Sequence, residues 1–233
     1  MMSGMQFVYL CGPGTAEELK YSIRSLIKNF KDPNIVLIGN IPPWYTGNFI
    51  SVSQDETKYA NVHKNLEAAI ASPQIDDKFV VMNDDFYIMK KIDSISYIHE
   101  GTLKDKYKKY LSAYASYSYV KKITNTHDKL VRVGIQDPLS YELHIPFLVE
   151  KEKLSKVVKY KNLLWRSMYG NMFNVGGDMM SDVKVYLTDS MGFKDYDYYS
   201  GESPFLSTND YSFKLIERDL LKGMFSQKSY LEV

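Results

Sequence analysis

Apolar residues over the first hundred positions follow two alternating patterns, which predict strands and helices in turn. Short, continuous apolar runs predict buried strands at 6–12, 34–39, 49–54 and 78–89. Between them, apolar residues three and four positions apart predict helices at 15–30 and 61–72, the first of which has a capping box of Thr15 and Glu18. Continuously apolar strands that alternate with helices are typical of an α/β sheet covered on both faces. We therefore predict an α/β fold.

Strand signals weaken after about residue 100, and helical spacing becomes the dominant pattern. Helices are predicted over about 104–126, from about 151, over 162–174 and over 210–225. The last of these is amphipathic, and Gly223 is expected as its C-cap. We expect one domain over 1–233, in which an α/β half (1–100) is closed by a mostly helical half (101–233).

Composition and charge narrow the class of protein. Hydrophobic residues make up 45% of the 233 positions and charged residues 24%, as in ordinary globular proteins. A formal charge of +1 disfavours a strongly basic nucleic-acid binder. A single cysteine, Cys11, excludes an internal disulfide and a multi-cysteine zinc site. No apolar run is long enough for a signal peptide or a membrane span, so we expect a cytoplasmic protein.

The basic residues are strongly biased toward lysine. The chain has 29 basic residues, of which four are arginine and 29 − 4 = 25 are lysine. A bias of composition explains this ratio without any function. The positions of the arginines are nevertheless informative, because the guanidinium group binds phosphate in a bidentate way that lysine cannot reproduce.

The most informative segment is VVMNDDFYIM (80–89), where a buried strand ends in Asn83, Asp84 and Asp85. The carboxyl edge of an open α/β sheet is where such folds bind ligands. Side chains alternate along a strand, so the two aspartates diverge unless the chain turns there. Carboxylates suit Mg²⁺ or Mn²⁺, with a substrate diphosphate completing the coordination shell. The alternative is that the run is only a polar turn with helix-capping residues.

Several motifs resemble those of the Stealth family of sugar-phosphate transferases, which includes bacterial capsule polymerases and the lysosomal N-acetylglucosamine-phosphotransferase. The similarity covers about 17–95 well and about 142–213 more loosely. Its motifs are YSIRS (21–25), PPW (42–44), NDDF (83–86), HIPFLVEKEKL (144–154), WRSMYGN (165–171) and STNDYSF (207–213). The chain also resembles short phage glycosyltransferases. It lacks the acidic residue of the family's N-terminal motif, because its first strand continues as FVYLCGPGT. Gly12 and Gly14 would then face the phosphates.

The resemblance implies a nucleotide-sugar transferase domain with a Rossmann-like or GT-A-like sheet. It implies transfer of a sugar, or of a sugar-1-phosphate, from a nucleotide-sugar to a hydroxyl group on a glycan. Asp84, Asp85 and Asp210 would hold Mg²⁺ or Mn²⁺, Asp85 would also be catalytic, and Asn83 would bind substrate. Two alternatives remain: a phage enzyme that modifies a hydroxymethylated base in DNA, and a nucleotide-sugar binding module with weakened catalysis.

Cationic residues on the first helix are candidates for contact with the diphosphate. Lys20 and Arg24 are four positions apart, so both reach one spot, and Arg24 is a candidate catalytic group. The alternative for Lys20 is a solvated helix face. His63, near the start of the second helix, is expected to cap that helix or to line the pocket for the donor sugar.

The C-terminal half supplies the remaining candidates. His144, in the extended segment LHIP, is a candidate general base or phosphate partner, although a lone histidine is often structural. Arg166 and Asn171 could hold the leaving diphosphate or the sugar, or Trp165 and Arg166 could be an ordinary packing pair. Asp210 is expected to be either a helix N-cap or a second acid facing the metal.

A stripe of tyrosines among lysines has two interpretations. Tyr107, Tyr110, Tyr114 and Tyr117 are three and four positions apart within 104–126. They could stack on exposed nucleic-acid bases while the lysines contact phosphates. They could equally form a core stripe beside a solvated basic face.

Overall fold

A five-stranded sheet in the strand order β3-β2-β1-β4-β7 forms the centre of the molecule. The computed structural model describes residues 4–14, 17–54, 57–112, 117–188 and 199–233. The first four strands run parallel, and β7 pairs antiparallel with β4 at one edge. The strands of this sheet are β1 (Gln6–Cys11), β2 (Asn34–Gly39), β3 (Asn48–Ser51), β4 (Lys78–Asn83) and β7 (Phe147–Glu150).

Helices cover both faces of this sheet, as the continuous apolar strands predict. Phe7 and Tyr9 of β1 share a buried cluster with apolar residues of α1 (Glu17–Asn29). The alternate residues Val8 and Leu10 point to the opposite face, in a second cluster with α2 (Lys58–Ala71). The predicted α/β fold is therefore confirmed, and each predicted strand of the N-terminal half is present.

The order of the strands reverses at β1. From β1 the chain passes through α1 to β2 and then to β3 on one side, and it returns through α2 to place β4 on the other side of β1. The chain therefore leaves the neighbouring strands β1 and β4 in different directions. In open α/β folds this reversal opens a crevice at the carboxyl ends of the strands.

The C-terminal half is rich in helices and also contributes strands. The edge strand β7 comes from this half, as do the short strands β8 (Asp178–Met179), β9 (Lys184–Val185) and β10 (Phe205–Thr208). β5 (Phe86–Ile88), β10 and β9 form a second sheet in the order β5-β10-β9, and β6 (Ile98–His99) pairs with β8. The helices are α3 (Leu103–Ser112), α4 (Tyr117–Arg132), α5 (Lys151–Val158) and α6 (Trp165–Met172).

The last predicted helix is interrupted by a π-helical segment. It comprises α7 (Asp210–Ser212), a π-helix (Phe213–Glu217) and α8 (Arg218–Met224). Gly223 lies inside α8 and is not its C-cap, because the Phe225 amide still donates to the Leu221 carbonyl. The expectation of a glycine cap was therefore wrong.

The segment predicted as one helix over about 104–126 contains two helices, α3 and α4. Tyr110 is half-buried against Tyr119, with ring centroids 5.2 Å apart, whereas 80% of the Tyr117 surface is exposed. The tyrosine stripe is therefore divided between the interior and the surface. Tyr114 lies outside the described residues. Thr15, of the capping box predicted for the first helix, also lies outside them.

Within the described ranges, no helix has both the length and the apolar composition needed to cross a membrane.

Candidate active site

A cavity of about 330 Å³ lies at the carboxyl ends of β1 and β4, where the strand order reverses. Its walls come from the loop after β1, the start of α1, the loop after β2, the end of β4 and the α7–π-helix junction. They are formed by Cys11, Gly12, Pro13, Gly14, Glu17, Glu18, Leu19, Asn40, Pro42, Asp84, Asp210, Phe213 and Lys214. The cavity brings together four sequence-predicted site residues, Gly12, Gly14, Asp84 and Asp210.

Close backbone packing fixes the Gly-Pro-Gly loop on the β1 side. The Asn40 amide group donates to the Gly14 carbonyl at 3.1 Å, and the Asn40 backbone N–H donates to the Cys11 carbonyl at 3.1 Å. Gly39 has φ +117°, and a Cβ atom there would lie 2.1 Å from the Cys11 carbonyl oxygen, so only glycine fits. Gly14 has the same left-handed φ.

The two aspartates after β4 form a turn that carries the chain from the central sheet into β5. Asp84 faces the cavity. Asp85 diverges from it and accepts hydrogen bonds from Lys184 Nζ at 2.9 Å and from Ser207 Oγ at 3.2 Å. The chain turns at the two aspartates, so strand alternation does not set their directions, and the turn itself gives each carboxylate its own surroundings.

Polar side chains of α1 hold β5 in place and so position this turn. The Ser22 hydroxyl hydrogen-bonds with the Phe86 carbonyl, Ser25 Oγ accepts from the Ile88 N–H at 2.9 Å, and Asn29 Nδ2 donates to the Ile88 carbonyl at 2.7 Å. These three residues are three and four positions apart, so they lie on one face of the helix. Their side chains provide hydrogen-bond partners for the backbone groups on the edge of β5 that does not pair with β10. The YSIRS motif therefore fixes the acidic turn through its serines.

Burial and neighbouring carboxylates raise the pKa of two acidic groups at the cavity, Asp84 and Glu18. Burial and the neighbouring Asp85 raise the pKa of Asp84 to about 7. Burial raises the pKa of Glu18 to about 7 as well, with further contributions from Asp84 and Asp210. Burial also opposes the charge on Asp85, but Lys184 and His144 outweigh it and lower its pKa.

The carboxylates that line the cavity suit a hard divalent cation, because such cations prefer oxygen ligands and their positive charge offsets the repulsion between the carboxylates. In the part of the chain that the structure describes, no three His, Cys, Asp or Glu side chains already form a metal-binding group. A cation here would need ligands from a substrate as well, which is how Mg²⁺ is usually bound beside phosphates.

His144 is held by Asp182, which follows the β8 strand. Its Nδ1 lies 2.7 Å from Asp182 Oδ2, and its backbone N–H donates to Asp182 Oδ1 at 3.0 Å. Burial opposes the charge on Asp182, but His144 outweighs this effect and holds the pKa of the carboxyl well below its usual range. An ionised carboxylate at Nδ1 places the ring proton there, so Nε2 is left to accept a proton.

Arg166 supports the segment that carries His144 and does not reach the cavity. It is 5% exposed, and its Nη1 donates to the Leu143 carbonyl at 2.8 Å and to the Ile145 carbonyl at 2.9 Å. Its guanidinium group also stacks among aromatic rings, with centroids 5.3–5.6 Å away, those of Phe86, Phe147 and Trp165. The role expected for it at a diphosphate does not fit this position, because the side chain is buried outside the cavity wall and Nη1 donates to two backbone carbonyls.

Arg24 and Lys20 also have other partners. Arg24 forms a bidentate pair with Glu232, with nitrogen–oxygen distances of 2.8 and 2.6 Å, and donates to the Phe225 carbonyl. It therefore ties α1 to the C-terminal segment. Lys20 lies over the Trp44 ring, 5.2 Å from its centroid.

Three further candidates, His63, Asn171 and Asn83, lie outside the cavity wall, and a fourth, Asp210, is part of it. His63 is buried on α2 near Val158, and its Nδ1 has no hydrogen-bond partner among the described residues. The side chain of Asn171 binds the backbone of Leu139: Oδ1 accepts from the Leu139 N–H, and Nδ2 donates to the Leu139 carbonyl. Asn83 pairs with Leu10 in the β1–β4 register and precedes the turn. Asp210 is the first residue of α7, and the N-cap is its neighbour Asn209, which forms a capping box with Ser212.

Sequence reasoning missed four polar residues at this site: Asp182, Lys184, Ser207 and Lys214. They contact the acidic turn, His144 or the cavity. Lys184 and Asp182 come from a segment about a hundred residues after the aspartates, and nothing in its local pattern distinguishes them from surface charges.

Comparison with known proteins gives limited similarity. No protein-family model and no curated protein matches the sequence. Among solved structures, the chain is similar to the apo form of glycosyltransferase GlyE from Streptococcus pneumoniae TIGR4, with a TM-score of 0.40 and 10% identity. A second GlyE structure gives 0.37 and 11%. In each case the similarity covers 76% of this chain and 45% of the GlyE chain. The Stealth resemblance therefore depends on the sequence motifs alone.

Proposed function

We propose that this protein is a divalent-metal-dependent transferase that moves a sugar, or a sugar-1-phosphate, from a nucleotide-sugar to a hydroxyl acceptor. The observation that carries this proposal is the cavity at the reversal of strand order, lined by Asp84 and Asp210 on one side and by the Gly12–Gly14 loop on another. Open α/β sheets bind nucleotides and phosphorylated ligands at this place. A cavity of this size accommodates the diphosphate portion of such a donor.

Asp84 and Asp210 would hold Mg²⁺ or Mn²⁺, and the cation would stabilise the negative charge that develops on the leaving phosphate. The pKa of Asp84, about 7, fits this role because the carboxylate is poised to exchange a proton for a metal near neutral pH. Lys214, on the π-helix, contributes positive charge to the same cavity. Asp85 anchors the turn through Lys184 and Ser207.

The chain supplies a base for the acceptor. In glycosyl transfer, the acceptor oxygen bonds to C1 of the donor sugar, the bond from C1 to the diphosphate oxygen breaks, and the electron pair leaves with the nucleoside diphosphate. In sugar-phosphate transfer, the acceptor oxygen bonds to the β-phosphorus, the bond from the β-phosphorus to the oxygen that bridges the two phosphates breaks, and the electron pair leaves with the nucleoside monophosphate. In both reactions the hydroxyl proton passes to Nε2 of His144, because Asp182 holds the other ring nitrogen.

Product analysis tests this function. The protein is incubated with Mn²⁺, a panel of nucleotide-sugars and a mixture of glycan acceptors, and the released nucleotides are separated by chromatography. We expect release of nucleoside diphosphate or monophosphate, and the product distinguishes the two reactions. Asp84→Asn should abolish release, whereas the exposed control Asp219→Asn should keep it. Equal release by wild type and Asp84→Asn, or no release by wild type, would overturn the proposal.

A further inference from the structure

A second cavity, of about 280 Å³, lies beside the His144–Asp182 pair. It is formed by the start and one face of α3 together with β8 and the segment after it. Its lining residues are Glu100, Asp105, Lys106, Lys109, Met179, Met180, Ser181 and Asp182. The function proposed above uses none of this lining except Asp182.

Asp182 connects the second cavity to the acidic turn. Asp182 is part of the cavity wall, and its carboxylate holds His144. The His144 ring in turn packs edge-on against Phe86, 6.3 Å between centroids, and Phe86 directly follows Asp85. The candidate base therefore contacts both Asp182 in the wall of the second cavity and Phe86, the residue that directly follows the acidic turn.

The lining combines polar groups of both signs with apolar surface. Lys106 is buried and forms an ion pair with Glu100, and Glu100 also accepts from Ser140 Oγ at 2.9 Å. Met179, which is 74% exposed, and Met180 add thioether surface beside these charges. A sugar ring matches such a lining, since its hydroxyls both donate to carboxylates and accept from ammonium groups and its C–H faces contact apolar side chains.

Charge argues against a polyanionic ligand in this cavity. Three of its lining residues are acidic and two are lysines, one of which, Lys106, is already neutralised by Glu100. A phosphate backbone would meet the carboxylates of Asp105 and Asp182, which is unfavourable.

We infer that this second cavity is the acceptor subsite, and that it takes an uncharged polyhydroxyl acceptor, a sugar, whose hydroxyl is presented to His144. The inference rests on the proposed function, since it needs His144 to act as the base of a transfer from the first cavity. It adds where the acceptor binds and that the acceptor carries no charge.

Blocking the cavity tests the placement. Met179→Trp puts a larger side chain on the wall of the second cavity, and Met179 is not part of the wall of the first. Met172→Trp, at the 39% exposed end of α6, is the matched control. We expect Met179→Trp to lower transfer to neutral mono- and disaccharides by about tenfold or more, because a displaced acceptor loses its reactive alignment. Slow hydrolysis of the donor without acceptor should stay unchanged. Wild-type transfer by Met179→Trp, or an equal loss of transfer and hydrolysis, would overturn the inference.

Binding gives a readout that is independent of turnover. Protein labelled with ¹³C at the methionine methyl groups is titrated with the same saccharides in the presence of Mg²⁺, which is diamagnetic, and a nucleoside diphosphate. We expect the methyl signals of Met179 and Met180 to shift while that of Met172 does not. If no saccharide shifts these two signals, the inference is overturned. The proposed function still stands in that case if the nucleotide binds. If saccharides shift them and no nucleotide binds, the proposed function fails and the sugar site remains.

A nucleic-acid acceptor is the other outcome to be tested. Single-stranded oligothymidylate added to the labelled protein at low salt should leave the signals of Met179 and Met180 unchanged. A shift with the oligonucleotide and none with the saccharides would overturn the inference in favour of a DNA acceptor.

Discussion

The carboxylate of Asp182 binds His144 twice, once at Nδ1 of the ring (2.7 Å) and once at the backbone N–H (3.0 Å). Both the orientation of the ring and the position of its proton are therefore set by one residue. This makes His144 the best-prepared base among the described residues that lie near the acidic turn.

Replacing Asp182 with asparagine should impair the base without unfolding the protein. In Asp182→Asn the amide no longer fixes the proton on Nδ1, so kcat is expected to fall roughly 10²–10⁴-fold, the usual contribution of a positioned base. The measurement is kcat against pH, and the acidic limb of the profile should move. A purely structural role would change the thermal midpoint and leave that limb in place.

Stability without metal should fall as pH rises from about 4 to about 7. The pKa values of Asp84 and Glu18 are about 7 in the folded protein, against ordinary values of 3.8 and 4.5. In this window the folded state retains protons that the unfolded state has lost, so deprotonation works against folding. The thermal midpoint in EDTA should therefore decline between about pH 4 and about pH 7, and Mn²⁺ should restore it at the upper end.

Asp84→Asn is the control for that pH dependence. The substitution removes one of the two titrating carboxylates and a proposed metal ligand, so both the decline with pH and the response to Mn²⁺ should become smaller. An undiminished slope in Asp84→Asn would contradict the assignment, as would a midpoint that increases with pH in the wild type.

Arg166→Met should destabilise the fold and leave nucleotide affinity intact. Two hydrogen bonds from a charged group are lost, at a cost of about 3 kcal/mol or more in the free energy of unfolding. Because Arg166 supports the carbonyls on either side of His144, kcat should fall while the KM for the nucleotide-sugar stays the same. A selective rise in that KM would indicate instead that Arg166 binds the diphosphate.

Ser25→Ala should loosen the acidic turn from a distance. It leaves the buried N–H of Ile88 without its acceptor, which costs roughly 1–3 kcal/mol in the free energy of unfolding. Urea unfolding measures this change, and Ser155→Ala on the exposed face of α5 is the matched control. If both variants are equally stable, α1 does not hold β5 as described.

The sequence predicted the sheet well because its evidence is local. Continuous apolar runs gave β1, β2 and β4, and the position of Asp84 at a strand end placed it at the edge where ligands bind. The prediction that Gly223 is a C-cap was wrong because a glycine allows a helix to end but does not require it. The helix continues past Gly223 to Met224.

The rest of the site depends on tertiary contacts that no local pattern encodes. Asp182 and Lys184 reach the site through the short strands β8 and β9, which have only two residues each. Arg24 and Arg166 lie in the motifs that suggested a diphosphate, yet their guanidinium groups meet Glu232 and backbone carbonyls. Scarce arginines in this chain serve structure at these two positions.

Calorimetry with nucleoside diphosphates tests the central claim most directly, because it asks whether the cavity at β1 and β4 binds a diphosphate together with a metal. Wild type, Asp84→Asn and the control Asp219→Asn are each titrated with a panel of nucleoside diphosphates, with Mn²⁺ and with EDTA. The account predicts binding by wild type and Asp219→Asn that requires Mn²⁺ and is lost in Asp84→Asn. Binding that is equally tight in EDTA or in Asp84→Asn, or no binding of any nucleotide by the wild type, would contradict it.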